Sequence, residues 1–248
     1  MMPQRGDRPE GRRAVALGAI AAAKADPLLE ELAGDLQRIC RGAVASLEMQ
    51  WSTIRVNART GVGAVVASSD EMAQAIGDLG AASGEGPAHD AFVTARPVLM
   101  TRLLEEGYVR WPGFVSAVRS SGVRACYALP LHVGAVRLGT LDLYRRQTVE
   151  LEPAQVSLAL TFADLATERL LDPRNNASAG GLDSRLLDAI DRNSEIHQAQ
   201  GMVMVDLDVD LAEAIALMRA NAFARDLSLL DVARELLAGH RLPPLEPA

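Results

Sequence analysis

Apolar positions recur at helical spacing near the end of the chain. Leu211, Ala214, Ile215, Met218 and Ala222 stand at i, i+3, i+4, i+7 and i+11, which predicts one apolar stripe on a helix of period 3.6. Leu229, Val232, Ala233, Leu236 and Leu237 repeat the pattern. Asp210 with Glu213, and Ser228 with Asp231, stand three apart at the head of each stripe. There a side-chain oxygen accepts from backbone N–H groups that no helical carbonyl reaches. Upstream, Leu182, Leu186, Ala189, Asn193, Ile196, Gln200 and Val203 step alternately by four and three. That is the spacing of a coiled-coil seam, and it predicts a homodimer in which Asn193 fixes the register.

Residues 27–172 alternate helical and strand-like runs. Leu28, Leu32, Leu36 and Ile39 mark one helix face, and WSTIRV, GAVVA, ACYALPLHV and VRLGTLDLY read as strands. Alternation places Tyr127, Leu129 and Leu131 on one side of the third strand. In the fourth it sets Leu141 and Leu143 against Thr140, Asp142 and Tyr144, with Gly139 marking a bulge or a close backbone approach. A last helix starts near Pro153 and ends at Pro173. The expected organisation is a mobile N-terminal segment over 1–26, an α+β domain over 27–172 with an antiparallel sheet flanked by helices, a polar Gly-containing linker over 173–181, an all-α three-helix domain over 182–241, and a tail over 242–248.

Composition narrows the function. At 248 residues, 49% apolar and 23% charged, the chain has room for two modest globular domains, and its longest apolar runs fall short of a membrane span. Two cysteines, Cys40 and Cys126, supply neither a disulfide framework nor a zinc quartet, which suits the reducing cytoplasm. His89, His132, His197 and His240 are widely separated, so no metal cluster, catalytic set or cofactor site is expected, and the chain reads as a non-enzyme. Net charge is −7, and from Leu182 onward six arginines face twelve Asp and Glu residues. Nucleic acid, if bound, must meet a localised face and not a basic surface.

Ile196, Ala199, Gly201, Met204, Met218, Arg219, Ala222, Asp231, Val232 and Ala233 reproduce, in order and with the right gaps, the pattern I-x-x-A-x-G-x-x-M, [LM]-R-x-x-A, D-V-A. This segment resembles the ANTAR domain, the three-helix RNA-binding module of bacterial antitermination regulators. Gly84, Glu85, Gly86, Pro87, then Pro97, Val98, Leu99, then Trp111, Pro112, Phe114, then Gly122, Val123, Arg124 and Leu129, Pro130, Leu131 resemble a GAF domain of the actinobacterial sensor type. Relatives often carry Cys after G-E-G-P, where this chain has Ala88, so thiol sensing there is not expected. Together the two resemblances imply a signal-responsive regulator whose GAF domain senses a small molecule and whose ANTAR domain binds antiterminator stem-loops in nascent RNA. The competing reading is a ligand- or protein-binding signalling module whose C-terminal helices serve only dimerisation.

For RNA contact the resemblance points to Arg192, Gln200, Arg219, Asn221 and Arg225. A guanidinium pairs a phosphate bidentately or stacks on an unpaired base. Many relatives carry Lys where this chain has Gln200, which removes a cation. The plainer role for Arg219 and Arg234 is pairing with carboxylates such as Glu213 and Asp231, and Gly201 is expected at a close helix contact. In the sensor, Glu85, His89, Asp90 and Trp111 are the candidate ligand-binding set. Gly84, Gly86 and Pro87 would by themselves shape a turn into a helix, and Trp111 with Phe114 would by themselves be core.

Overall fold

The computed structural model describes residues 9–27, 31–57, 63–172, 184–225 and 227–243. Along the chain, α1 (Pro9–Ala22) and α2 (Glu31–Leu47) precede the hairpin of β1 (Trp51–Asn57) and β2 (Gly63–Ser68). Then follow α3 (Glu71–Ser83), α4 (Pro87–Thr94), β3 (Val98–Met100), α5 (Leu103–Arg110) and α6 (Pro112–Val118). The strands β4 (Ala125–Val133) and β5 (Val136–Arg145) lead to α7 (Pro153–Leu170). The last three helices are α8 (Ser184–Leu207), α9 (Leu211–Ala224) and α10 (Leu229–Leu237).

Five strands make one antiparallel sheet in the order β2-β1-β5-β4-β3. Its pleat sorts side chains as the alternation predicts. Ile54, Tyr127, Leu129, Leu131, Leu141 and Leu143 point to the side where α2 and α7 contribute Leu36, Ile39, Leu47 and Phe162. Trp51, Cys126 and Tyr144 point the other way, into a second core with Ile76, Leu103, Trp111 and Phe114. Short β3 pairs only with β4 and has no long alternating run to announce it in sequence.

Residues 1–8 lie outside the described residues, and within the stretch 1–26 expected to be mobile, Pro9–Ala22 is a helix packed on α2 and α7. Its run of small residues is the cause. Ala16 is fully buried, and Gly42 of α2 lets the backbone of Ala19 and Ile20 come so close that an added Cβ would lie 3.1 Å from Ile20 N. Arg13 and Glu168 tie the helix to α7 through two parallel hydrogen bonds of 2.8 and 2.7 Å.

The C-terminal helices bury Ile196, Ala199, Val203, Met218, Val232 and Leu236 in a core of their own. Both predicted helix starts carry their caps. Asp210 accepts from Glu213 N at 2.8 Å, and Ser228 with Asp231 forms a reciprocal capping box. The linker over 173–181 and the side chains of residues 184–194, including Asn193 of the expected seam, lie outside the described residues. Ala82 of α3 packs against this third core, and α8 runs beside edge strand β2, so the two domains touch.

Gly139 of β5 serves both of its expected roles. The register shifts opposite it, between Leu131 and His132, and a Cβ on Gly139 would collide with the Arg55 carbonyl. Gly139→Ala is expected to lower the free energy of unfolding by about 1–3 kcal/mol in urea titrations, the usual effect of overpacking a tight site. Wild-type stability in that variant would contradict the close approach.

Candidate nucleic-acid interface and sensor site

The sequence SGEGP forms a compact junction between three helices. Gly84 ends α3 in the left-handed region (φ 70), Gly86 (φ 124) precedes α4, and Pro87 takes the first helical turn, where its missing N–H costs nothing. Glu85 between them reaches across to α6. Its Oε1 accepts from Gly113 N at 2.5 Å and Phe114 N at 3.1 Å, so one carboxylate closes the start of that helix.

Arg219 of α9 lies over the same turn, its guanidinium against the bare Gly84 backbone where any Cβ would collide with it. Burial pulls its pKa down while the nearby Glu85 charge pulls it up. Nε is buried with no hydrogen-bond partner. Beside it opens a cleft of about 610 Å³ between Leu79, Ser83, Pro112 and Ala117 of the sensor and Ala220, Phe223 and Leu227 of the helical domain.

Of the other RNA candidates, Gln200 (3% exposed) and Asn221 (2% exposed) belong to the interior of the helical domain. Asn221 Nδ2 donates to Pro243 O at 2.9 Å, fastening the segment that follows α10. Arg225 is exposed and bidentate to Glu235 at 2.7 and 2.9 Å. Arg234 pairs with Glu195 at 2.8 Å, not with Asp231, which is occupied by the α10 cap. The Arg192 side chain lies outside the described residues. Among the described residues an added Cβ at Gly201 would meet no atom within 4 Å, so they provide no close helix contact of the kind expected there.

The four sensor candidates have different surroundings. Asp90 Oδ2 accepts from Trp111 Nε1 at 3.2 Å and pairs with Arg110 Nη2 at 2.6 Å, while the Arg110 guanidinium sits 4.6 Å from the Trp111 ring centroid. Trp111 itself is 2% exposed and packed in the second core. His89 is half-buried, and its pKa is lowered chiefly by burial, with Asp90 opposing and the positive charges of Arg219 and Arg55 adding to the fall. Glu85 has the capping role described above.

Sequence reasoning missed a buried polar group on the same side of the sheet. Arg55 Nη2 donates to Gly77 O at 2.9 Å, Arg55 Nε lies 3.9 Å from Asp142 Oδ2, and Thr53 Oγ1 donates to that oxygen at 3.4 Å. Arg55 Nε, Asp142 Oδ1 and Thr140 Oγ1 are buried without hydrogen-bond partners. The signal was present in β5, where Thr140 and Asp142 alternate against leucines on a strand covered on both faces. Both thiols are fully buried, and burial pushes Cys40 up to about 12 and Cys126 well above its ordinary value, which suppresses thiolate chemistry. Among the described residues no group of three or more His, Cys, Asp or Glu side chains could hold a metal ion.

The GAF domain family description matches residues 26–170, and the ANTAR domain description matches residues 184–237. The chain therefore belongs to the GAF domain family and carries an ANTAR domain behind it, the architecture of signal-responsive antitermination regulators. The GAF domain of a phosphoenolpyruvate-protein phosphotransferase from Acinetobacter is similar in fold: 11% identity, TM-score 0.50, covering 71% of this chain and 98% of that one. The GAF domain of the phosphoenolpyruvate-protein phosphotransferase from Coxiella burnetii is 13% identical with a TM-score of 0.50, covering 71% and 99%. No curated protein sequence matches the chain.

Asp142 offers a test of the polar cluster. Burial raises its pKa, with Arg55 and two threonines only partly opposing. A carboxyl with a raised folded pKa favours folding while protonated, and that contribution is lost as pH rises through the folded value. Stability of the wild type relative to Asp142→Asn should therefore fall from the ordinary carboxylate range upward, as read by denaturation at a series of pH values. A pH-independent difference between the two proteins would place Asp142 outside the low-dielectric interior.

Proposed function

We propose that the protein is a cytoplasmic, homodimeric regulator of transcription antitermination. Its GAF domain senses a small molecule, and its ANTAR domain binds stem-loops in nascent RNA. The observation that carries this reading is on α9, where Phe223, 71% exposed, follows Arg219 by four residues and so shares its helix face. An arginine and an exposed aromatic residue on one helix face supply the two side-chain types on which unpaired loop bases stack. Arg225, Arg192, Gln200 and Asn221 complete the set that the family resemblance assigns to RNA, the buried pair Gln200 and Asn221 by shaping the helices that present it.

On the sensor side, Glu85, His89, Asp90 and Trp111 surround the first turns of α4 and its neighbour α6, and Arg55 with Asp142 lies beneath them. A ligand held there meets one half-buried imidazole and a set of buried donors and acceptors, which suits a small polar molecule.

Gel-shift titration of the full chain with a two-hairpin RNA tests the reading. Binding tighter than micromolar is expected, weakening with added salt as phosphate counterions are released. Phe223→Ala should cost about 1–3 kcal/mol of binding free energy, the worth of one stacked base. No binding at micromolar protein, or a Phe223→Ala variant indistinguishable from wild type, rejects it. The acidic balance of the C-terminal domain favours one competitor, a module whose last helices only dimerise. Its self-association would not follow the counterion law.

A further inference from the structure

We propose that the Gly84–Pro87 turn is a seat that holds α9 in a closed state, the Arg219 guanidinium laid on the bare Gly84 backbone and Glu85 lining the cleft beside it. The proposal rests on the RNA-binding reading above and adds to it how access to the RNA-facing side is controlled.

Three features of the turn make it a seat. Gly84 ends α3 in the left-handed conformation and has no side chain, so the Arg219 guanidinium lies directly on its backbone. Glu85 is a fixed anion, since two N–H groups at the start of α6 hold one of its oxygens. Ala82, one turn earlier on α3, packs against the core of the helical domain, so the contact has an apolar footing as well. With this turn in place, an RNA phosphate or base has no approach to the covered face of Arg219.

The closed state is also built to be left. Arg219 is part-buried, its Nε is enclosed with no hydrogen-bond partner, and among the described residues it forms no salt bridge. A buried cation without full hydrogen bonding is poorly compensated, whereas a phosphate offers a guanidinium two acceptors at once. The cleft of about 610 Å³ beside it leaves Phe223 exposed and the interface far from close packing. RNA and the sensor domain therefore compete for one guanidinium, and the apparent affinity for RNA is the intrinsic affinity scaled by the open fraction. The turn runs straight into α4, which carries His89 and Asp90, so a ligand that shifts α4 acts on the seat with no intermediary.

The test uses the full chain as wild type, Glu85→Gln, Arg219→Ala and the double variant, each first shown to melt as wild type does. Gln keeps an oxygen for Gly113 and Phe114 while removing the negative charge from the cleft that Arg219 also lines. Glu85→Gln should bind a two-hairpin RNA about 5- to 150-fold more tightly than wild type, the ordinary span of coupling between sites. The double variant should fall to the level of Arg219→Ala. In hydrogen exchange without RNA, Glu85→Gln and Arg219→Ala should both speed exchange over residues 84–90. Wild-type RNA affinity in Glu85→Gln, with binding still lost in Arg219→Ala, overturns the seat and leaves the RNA reading standing. Unchanged exchange in both variants overturns the seat whatever the RNA result. If no variant binds RNA, the RNA reading fails, and masking of an RNA surface fails with it.

Discussion

The Arg55 guanidinium, 4% exposed between the sheet and α3, fixes what can lie on that side of the molecule. It donates to Gly77 O of α3 and faces Asp142 of β5, so it links a helix to two strands through one charge. The helix comes close enough because it offers glycines there. A Cβ at Gly77 would lie 2.6 Å from Val65 Cγ2, and one at Gly80 would lie 2.9 Å from Arg55 Nη2. With α3 set in this way, its last residue and the Gly84 turn are set too, and that turn meets Arg219. A buried ion pair is an expensive way to hold two layers together, and it commits them to one arrangement more than it adds stability. The path from the sheet centre to the domain contact is thus short and made of few groups.

Much of this was legible in the sequence, for identifiable reasons. Alternation in β4 and β5 separated the two faces correctly because both strands are long and central, with one face wholly apolar. Asp210, Ser228 and Asp231 announced helix starts because capping is a local matter of three or four residues. Helix α1 was not legible, since its packing depends on Gly42 lying opposite a run of alanines far away in sequence. Nor was the Arg55 cluster, because Arg55 reads as an ordinary polar position of a half-exposed strand until α3 covers it. Arg219 could be picked out by its motif, yet its neighbour Glu85 lies on another domain, where no spacing rule reaches.

The charge balance of the helical domain also reads differently once its arginines are placed. Arg225 and Arg234 are tied to Glu235 and Glu195 on neighbouring helices, at solvent-facing positions where such pairs hold only weakly. An anionic partner could take over either guanidinium at small expense. Acidic composition and local arginine chemistry are therefore compatible, since the carboxylates hold the cations in place without sealing them off.

Helix α8 runs beside β2, the outermost strand of the sheet, whose two faces are already covered by α2 and α3. As an edge strand, β2 pairs within the sheet with β1 alone among the described strands. Such edges template pairing with other chains unless something shields them. In this protein the element lying beside that edge strand, α8, belongs to the neighbouring domain. A sensor domain cut free of its C-terminal helices would show that edge to solvent, and its solubility would depend on a part of the chain usually credited only with output.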